Sequence, residues 1–146
     1  MSTSSNLDNS NILDVGCGAG FLISRMGARS QGKVIGIDLT QSCVDQANRN
    51  VQNAGLPNNS NGERVRAFRQ DVRALRKTDM TALRRETLNG QGFDFIFAIT
   101  LFQHIPQDEH AQVSNQLVRL LRNGGRLTAI LEAGEIGTIA PGERSA

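Results

Sequence analysis

Three alternating glycines, Gly16, Gly18 and Gly20, follow a short apolar run that ends with Asp14-Val15. Glycine lets the backbone approach a ligand that a Cβ atom would obstruct. The helix-like residues that follow would aim their free N–H groups at polar groups of the same ligand. This stretch therefore predicts a strand, a ligand-binding turn and a helix, with an adenosine-type cofactor as the ligand.

A second apolar run, residues 33–37, ends in Asp38 about twenty residues beyond the glycines. At this distance in a nucleotide-binding fold, a carboxylate accepts hydrogen bonds from ribose hydroxyls. The spacing Gly-x-Gly-x-Gly is one residue shorter than the Gly-x-Gly-x-x-Gly of nicotinamide-dependent dehydrogenases. The spacing therefore disfavours an oxidoreductase and keeps an adenosine-cofactor site.

With these features, residues 11–131 resemble the class I S-adenosylmethionine-dependent methyltransferases. Residues 93–99 look like the fourth strand of that family, and residues 120–127 look like its turn into the fifth strand. The resemblance covers most of the chain and keeps the family's order of segments. It implies a methyltransferase with S-adenosyl-L-methionine as its cofactor.

The resemblance also implies a role for individual residues. The glycine loop would pack under the methionine part of the cofactor, Asp38 would hold the ribose, and Asp71 would take the adenine amino group. Leu39 would lie against the adenine face. The cofactor-binding residues that we expect are Asp14, Gly16, Cys17, Gly18, Gly20, Asp38, Leu39, Asp71, Val72 and Thr100.

Each of these residues also has a purely structural explanation. The glycines could only close a tight turn, and Asp38 could be a solvated acid at the end of a strand. Asp71 could cap a turn or a helix, because an Asp that leaves a strand often does so. Asp14 could contact the cofactor's amino group through water, or it could hold the N–H groups of the loop. The sequence leaves these alternatives open.

Methyl transfer from a sulfonium depends mainly on alignment, so a catalytic side chain is not required. His104 is the candidate base, because residues 100–105 follow the fourth strand and face the implied acceptor site. Many small-molecule methyltransferases of this family carry Glu-His or His-His there, whereas this chain has Gln103 before His104. Alternatively, His104 packs at the start of the next helix. His110 is expected to be solvated.

Strands alternate with helices along the chain, which predicts a Rossmann-like three-layer α/β/α sandwich with a mainly parallel sheet of about five strands. Residues 64–70 are expected to form the third strand. Helices are predicted after Thr40 or Ser42, after Thr78 or Thr81, and from Pro106 to a stop at Gly124. The ligand should lie at the carboxyl edge of this sheet.

The domain organisation follows from the extent of the resemblance. We expect a polar N-terminal tail over residues 1–10, the methyltransferase domain over residues 11–131, and a C-terminal tail over residues 132–146. Family members usually carry helices before the glycine strand and an antiparallel strand pair after the fifth strand. The chain is therefore expected to be truncated at both ends, or a second copy or a partner subunit covers the cofactor.

Composition restricts the class of protein. The formal net charge of the 146 residues is +2, and no apolar run approaches the ~20 residues of a membrane helix. Basic residues are concentrated in residues 64–85, but the chain has no Trp or Tyr to stack on bases. Cys17 and Cys43 fit no metal-ligand spacing and are expected to be free thiols. We expect a cytoplasmic protein without nucleic-acid, membrane or metal binding.

Two functions of different classes remain. The first is methyl transfer to a small-molecule O, N or C acceptor near residues 100–104. The second is a non-catalytic or partner-dependent interaction module that keeps the fold. An RNA or protein methyltransferase is a weaker alternative, because it rests on the basic segment 64–85 alone.

Overall fold

A computed structural model describes residues 7–130 and the backbone of residues 136–139. The strands are β1 (Ile12–Val15), β2 (Val34–Asp38), β3 (Val65–Arg69), β4 (Phe93–Ala98), β5 (Leu121–Ile130) and β6 (Ile136–Ile139). The helices are α1 (Phe21–Arg29), α2 (Gln41–Asn53), α3 (Lys77–Arg85) and α4 (His110–Val118). Short 3₁₀ turns lie at Val72–Ala74, Leu88–Gly90, Phe102–His104 and Gln107–Glu109. Within these ranges, no helix combines the length and apolar character that crossing a membrane requires.

The six strands form one sheet in the order β3-β2-β1-β4-β5-β6. The first five strands are parallel to their neighbours, and β6 runs antiparallel to β5. The predicted Rossmann-like three-layer architecture with a mainly parallel sheet is therefore confirmed. Of the antiparallel strand pair that the chain was expected to lack after β5, one strand is present, because β6 supplies backbone partners along the edge of β5. Residues 131–135 and 140–146 of the predicted tail lie outside the described residues.

The sheet separates two hydrophobic cores. On one face, Leu13 and Val15 of β1 pack in a cluster that includes Leu117 of α4. On the other face, Ile12 packs in a cluster that includes Ile23 of α1, together with residues of α2. All four residues of β1 are buried, which explains why its sequence reads as an apolar run rather than an alternation.

Two predicted helices have different ends in the structure. α4 stops at Val118 rather than before Gly124, which lies inside β5. The reason is tertiary: the N–H of Phe93 donates to the carbonyl of Leu120 at 2.8 Å, so this part of the chain joins the sheet. α3 begins after Arg76, whose N–H donates to Asp79 Oδ2 at 2.9 Å. Neither predicted threonine therefore caps this helix.

Residues 7–10 are in contact with the domain. The Ser30 hydroxyl donates to the carbonyl of Ser10 at 2.7 Å, and the N–H of Gln31 donates to the carbonyl of Asp8 at 2.7 Å. Leu7 packs against the core on the α1 and α2 face. The first six residues of the predicted polar tail lie outside the described residues.

Candidate functional site

The glycine loop between β1 and α1 has three residues in the left-handed region. The φ angles are +78° at Gly16, +53° at Gly18 and +83° at Gly20. A Cβ atom on Gly20 would meet Ala47 Cβ at 2.8 Å, so Gly20 makes room for α2. A Cβ atom on Gly18 would meet nothing within 4 Å. Gly18 therefore leaves open space beside the loop, which is the space that a ligand on the backbone needs.

Asp38 at the end of β2 is held by the glycine loop. Its Oδ2 accepts a hydrogen bond from the N–H of Gly18, and its Oδ1 accepts one from the N–H of Thr40, both at 3.0 Å. An ionised carboxylate offers about four lone-pair sites, so about two stay available for a ligand. The two backbone bonds fix the orientation of the carboxylate before any ligand binds.

Asp14 is a buried carboxyl without a hydrogen-bond donor among the described residues. The N–H groups of the loop go elsewhere: Gly16 and Cys17 donate to the carbonyl of Ile37, at 2.8 and 3.0 Å. Burial, and then the charge of Asp38, raise the pKa of Asp14 from 3.8 to about 7. Of the two alternatives for Asp14, support of the loop N–H groups is therefore not what the structure shows.

Cys17 turns its side chain away from the open side of the loop. A Cβ atom on Gly36 would lie 2.8 Å from the Cys17 sulfur, so the thiol fills the space above Gly36 inside the core. Burial, followed by the charges of Asp14 and Asp38, raises the pKa of the Cys17 thiol to about 12. Cys17 and Cys43 are both free thiols, as predicted.

A cleft of about 260 Å³ opens at the carboxyl edge of the sheet. It collects seven of the predicted site residues: Gly16, Asp38, Leu39, Asp71, Val72, Thr100 and His104. Four predicted residues are not in its lining: Asp14, Cys17, Gly18 and Gly20. The prediction missed seven lining residues: Val15, Ile37, Thr40, Gln70, Arg73, Leu101 and Ile105. Each of these seven lies within two residues of a predicted one, so the strand ends themselves were the signal for them.

One wall of the cleft comes from the ends of β2 and β3. Leu39 is 57% exposed, so it presents an apolar surface to solvent. Asp71 caps the 3₁₀ turn that follows β3, because its Oδ1 accepts from the N–H of Arg73 at 3.0 Å. Its other carboxylate oxygen has no partner among the described residues. Asp71 is therefore a turn cap that can still accept a hydrogen bond from a ligand.

The opposite wall comes from residues 100–105 after β4. His104 is exposed, and its Nε2 lies 3.4 Å from Nε2 of Gln103. His110 holds this segment: its Nε2 lies 2.8 Å from the carbonyl of Ile105, and its ring meets the ring of Phe102 at 5.1 Å. The expectation that His110 is only solvated is therefore wrong. Since a carbonyl can only accept, Nε2 of His110 carries the proton of this bond.

The basic segment 64–85 does not form one cationic surface. Arg64 is buried, and its guanidinium donates only to backbone carbonyls, those of Gly27, Ser30, Gly32 and Pro57. Burial lowers its pKa. Other cations of the segment are paired with carboxylates, in Arg66–Glu86, Arg73–Glu109 and Arg76–Asp79. Arg66, Arg73 and Arg76 keep 35%, 47% and 79% of their side chains exposed, so of these four cations only the buried Arg64 departs from a solvated basic segment.

A larger groove of about 860 Å³ lies along the outer edge of β3. Two of its lining amides are already used by the strand, since Asn48 bonds to Ala67 and Asn59 to Val65. The groove shares no residue with the glycine loop. Among the described residues, no cluster of three or more metal-ligating side chains is present. The larger groove therefore contains none of the predicted site residues, whereas seven of them line the smaller cleft.

The chain is similar to known methyltransferases in sequence and in fold. A family model described as a methyltransferase domain matches residues 12–125. A ubiquinone biosynthesis O-methyltransferase of Coxiella burnetii is 30% identical over 83% of this chain and 43% of its own length. A tRNA U34 carboxymethyltransferase of Actinobacillus succinogenes is 28% identical over 96% of this chain and 39% of its own length.

A solved structure shows a similar fold. Magnesium protoporphyrin IX methyltransferase from Synechocystis PCC 6803, with bound SAH, matches with a TM-score of 0.63 and 21% identity. The match covers 86% of this chain and 48% of that protein. The chain thus spans less than half the length of the curated relatives named above.

Proposed function

This chain belongs to the methyltransferase domain family, and on that premise we propose that it binds S-adenosyl-L-methionine and transfers the methyl group to a small-molecule acceptor. One observation carries the proposal: Asp38, with about two lone-pair sites left, accepts from the N–H of Gly18, whose Cβ position is open space. We assign this cofactor-binding unit to residues 11–131. Its acceptor is an oxygen, nitrogen or carbon nucleophile.

The residues of the cleft fit an adenosine cofactor. Asp38 would accept from both ribose hydroxyls, and the second oxygen of Asp71 would accept from the adenine amino group. Leu39 and Val72 would provide the apolar surface for the adenine ring, because both line the cleft. The loop backbone at Gly18 and the free N–H groups of α1 would face the methionine part.

Four of the residues that were predicted to bind the cofactor differ from one another in the role that this proposal gives them. Gly16 lines the cleft near Thr100, since a Cβ atom on Gly16 would lie 3.9 Å from the Thr100 hydroxyl. Gly20 and Cys17 support the loop from the core side and do not contact the cofactor. Asp14 supplies negative charge from beneath the loop, where a cationic ligand group would compensate its burial.

The transfer step asks little of the protein beyond alignment. When bound, S-adenosylmethionine supplies a methyl group on a sulfonium centre, whose leaving group is a neutral thioether. The cleft wall at Thr100 to His104 would hold the acceptor in line with that methyl group. His104 is exposed beside the cleft, so its imidazole would take the proton that an O–H or N–H acceptor loses.

A small-molecule acceptor fits this surface better than an RNA. Several of the basic residues that suggested RNA are engaged by carbonyls and carboxylates, as with Arg64 and Arg66. The free thiols of Cys17 and Cys43 agree with a reducing compartment, and we place the protein in the cytoplasm. A partner-dependent module without catalysis stays the alternative, because the chain spans less than half of the named relatives.

Calorimetry of the purified chain tests the proposal, with S-adenosylmethionine, S-adenosylhomocysteine and NAD titrated separately. Binding of the first two, and none of NAD, is the expected result. Asp38→Ala should weaken binding by about 1.5–3 kcal/mol, the range for hydrogen bonds to a charged group. Asp45→Ala, which removes an exposed carboxylate on α2, is the matched control. If the folded wild-type chain bound neither adenosyl compound, the result would favour the alternative of a partner-dependent module without catalysis.

The catalytic role of His104 can be tested only with a methyl acceptor. Once a screen has found one, His104→Ala should lower kcat and leave the affinity for S-adenosylhomocysteine unchanged. An unchanged kcat would make His104 a surface residue of the cleft wall. A loss of affinity would instead place its side chain against the cofactor.

A further inference from the structure

An ion pair joins the two walls of the cleft. Arg73 belongs to the wall that follows β3, and Glu109 lies in the 3₁₀ turn that connects the opposite wall to α4. Arg73 Nε donates to Glu109 Oε1 at 2.9 Å, and Arg73 Nη2 donates to Oε2 at 2.8 Å. Two parallel bonds of this kind fix both the separation and the orientation of the partners.

Both ends of this pair continue into the proposed binding residues. On the β3 side, the backbone N–H of Arg73 donates to Asp71 Oδ1 at 3.0 Å. On the β4 side, Glu109 precedes His110, whose imidazole bonds to the carbonyl of Ile105, the neighbour of His104. A continuous set of contacts therefore runs from the expected adenine residue to the expected acceptor residue.

We propose that the Arg73–Glu109 pair is a tie that sets the width of the cleft and thereby positions His104 relative to the bound cofactor. This inference rests on the proposed function. Arg73 and Glu109 are positioning residues here, since neither needs to touch the reacting atoms. Breaking the tie would let the wall that follows β4 move away from the wall that carries Asp71.

The Arg73–Glu109 tie lies at the surface, which limits how much it can change the affinity for the ligand. The Arg73 side chain is 47% exposed and the Glu109 side chain is 32% exposed. Exposed pairs contribute modestly and are screened by salt, so we expect about a threefold change in affinity at low ionic strength. The same change should shrink when the salt concentration is raised.

A charge-swap series tests the tie. Arg73→Glu and Glu109→Arg should each weaken S-adenosylhomocysteine binding about threefold at low salt, and the double variant should restore most of it, because the pair is then reversed rather than lost. Arg76→Glu is the control, since Arg76 also forms a surface ion pair, with Asp79 at the start of α3, and does not join the two walls of the cleft. This control should bind like the wild type.

Amide NMR spectra without ligand provide a readout that does not depend on the cofactor. The His104 and Ile105 signals should shift in both single variants and return toward the wild-type positions in the double variant. Single variants that bind and resonate like the wild type would overturn the tie, and so would a double variant without recovery. Failure of the wild type to bind S-adenosylhomocysteine would instead overturn the proposed function, and with it the positioning role.

Discussion

The three glycines of the loop lack side chains for different physical reasons. Gly20 makes room for Ala47, whereas the position beside Gly18 is empty. A substitution at Gly18 is therefore expected to report on a ligand rather than on packing. This difference is invisible in the sequence, because the three glycines alternate in one regular motif.

A Gly18→Ala substitution separates binding from folding. The positive φ of Gly18 costs an alanine about 1–2 kcal/mol of stability, but no atom clashes with the new methyl group. If the cofactor occupies the open space, the methyl group should also cost about 1–3 kcal/mol of binding, or roughly 5- to 150-fold in Kd. Calorimetry with S-adenosylhomocysteine measures this.

Gly62→Ala is the matched control for this substitution. Gly62 has a φ of +70°, also has nothing within 4 Å of its Cβ position, and lies in the loop before β3, at the other edge of the sheet. It should lose similar stability and keep wild-type affinity. If the Gly18 and Gly62 variants bound S-adenosylhomocysteine with equal affinity, the cofactor would not lie in the open space beside Gly18.

Asp14 makes stability depend on pH. Its pKa is raised in the folded state from 3.8 to about 7, so the folded protein binds the proton more tightly than the unfolded chain. This favours folding below about pH 4, and the advantage is lost as the pH rises to about 7. The shift corresponds to at most roughly 4 kcal/mol.

Urea titrations of Asp14→Asn between pH 4 and 8 measure this effect. The free energy of unfolding of the wild type should fall relative to that of the variant as the pH rises to about 7, and the difference should then level off. Asp45→Asn, at an exposed position of α2, should keep the wild-type slope. Parallel profiles for wild type and Asp14→Asn would contradict the raised pKa.

At the scale of elements, two asparagines protect the free edge of β3. Asn48 of α2 accepts from the N–H of Ala67 at 2.8 Å and donates to its carbonyl at 3.1 Å. Asn59 pairs in the same way with Val65, at 2.9 and 3.1 Å. The amides thus take the place of a neighbouring strand, which keeps the edge from pairing with another chain.

Asn48→Asp replaces the donor with an acceptor that faces the carbonyl of Ala67. The variant should lose about 1–3 kcal/mol of stability near pH 7, because the carbonyl is left without a donor. Acid should reduce the difference, since a protonated carboxyl can donate again. Gln52→Glu on the exposed side of α2 makes the same chemical change without a strand partner and should be near neutral. A loss that is independent of pH would contradict the pairing.

The sequence predicts an element well where local pattern and tertiary environment agree. The positions of Val44, Ala47 and Val51 predict the buried face of α2, and the structure buries all three. The pattern predicts α4 past its real end because Leu120 and Leu121 continue the helical spacing, although pairing with β4 draws Leu121 into β5. The strand β6 could not be predicted, since it is defined by antiparallel pairing with β5, and this pairing is not visible in the local sequence.

At the scale of the whole molecule, the site could be predicted only as far as the strand order. The ends of β1, β2, β3 and β4 meet at one edge, so the sequence predicts that Asp38, Asp71 and Thr100 converge there, and the cleft contains all three. The direction of a side chain could not be predicted, as Cys17 shows. Contacts between distant segments, such as Arg73 with Glu109, are equally invisible to spacing. Membership of the methyltransferase family is confirmed by the match over residues 12–125.

Ligand binding should stabilise the molecule on both faces of the sheet. The two hydrophobic cores share the strands β1 and β2, since Leu13 and Ile35 face one core while Ile12 and Val34 face the other. If the domain unfolds as one unit, S-adenosylhomocysteine at 100 times its Kd should raise the free energy of unfolding by about 2.7 kcal/mol. Native-state hydrogen exchange of slowly exchanging amides in α2 and α4 measures this on each face.

Equal slowing in α2 and α4 is the expected outcome, because neither face can open globally without breaking the shared strands. The Gly18→Ala variant should show less slowing at the same ligand concentration, since a 5- to 150-fold higher Kd leaves only about 0.3–1.8 kcal/mol of stabilisation, whereas Gly62→Ala should keep it. Protection confined to residues around the cleft would show instead that the carboxyl edge opens by itself. In that case the ligand would stabilise a local unit, and the two cores would not respond together.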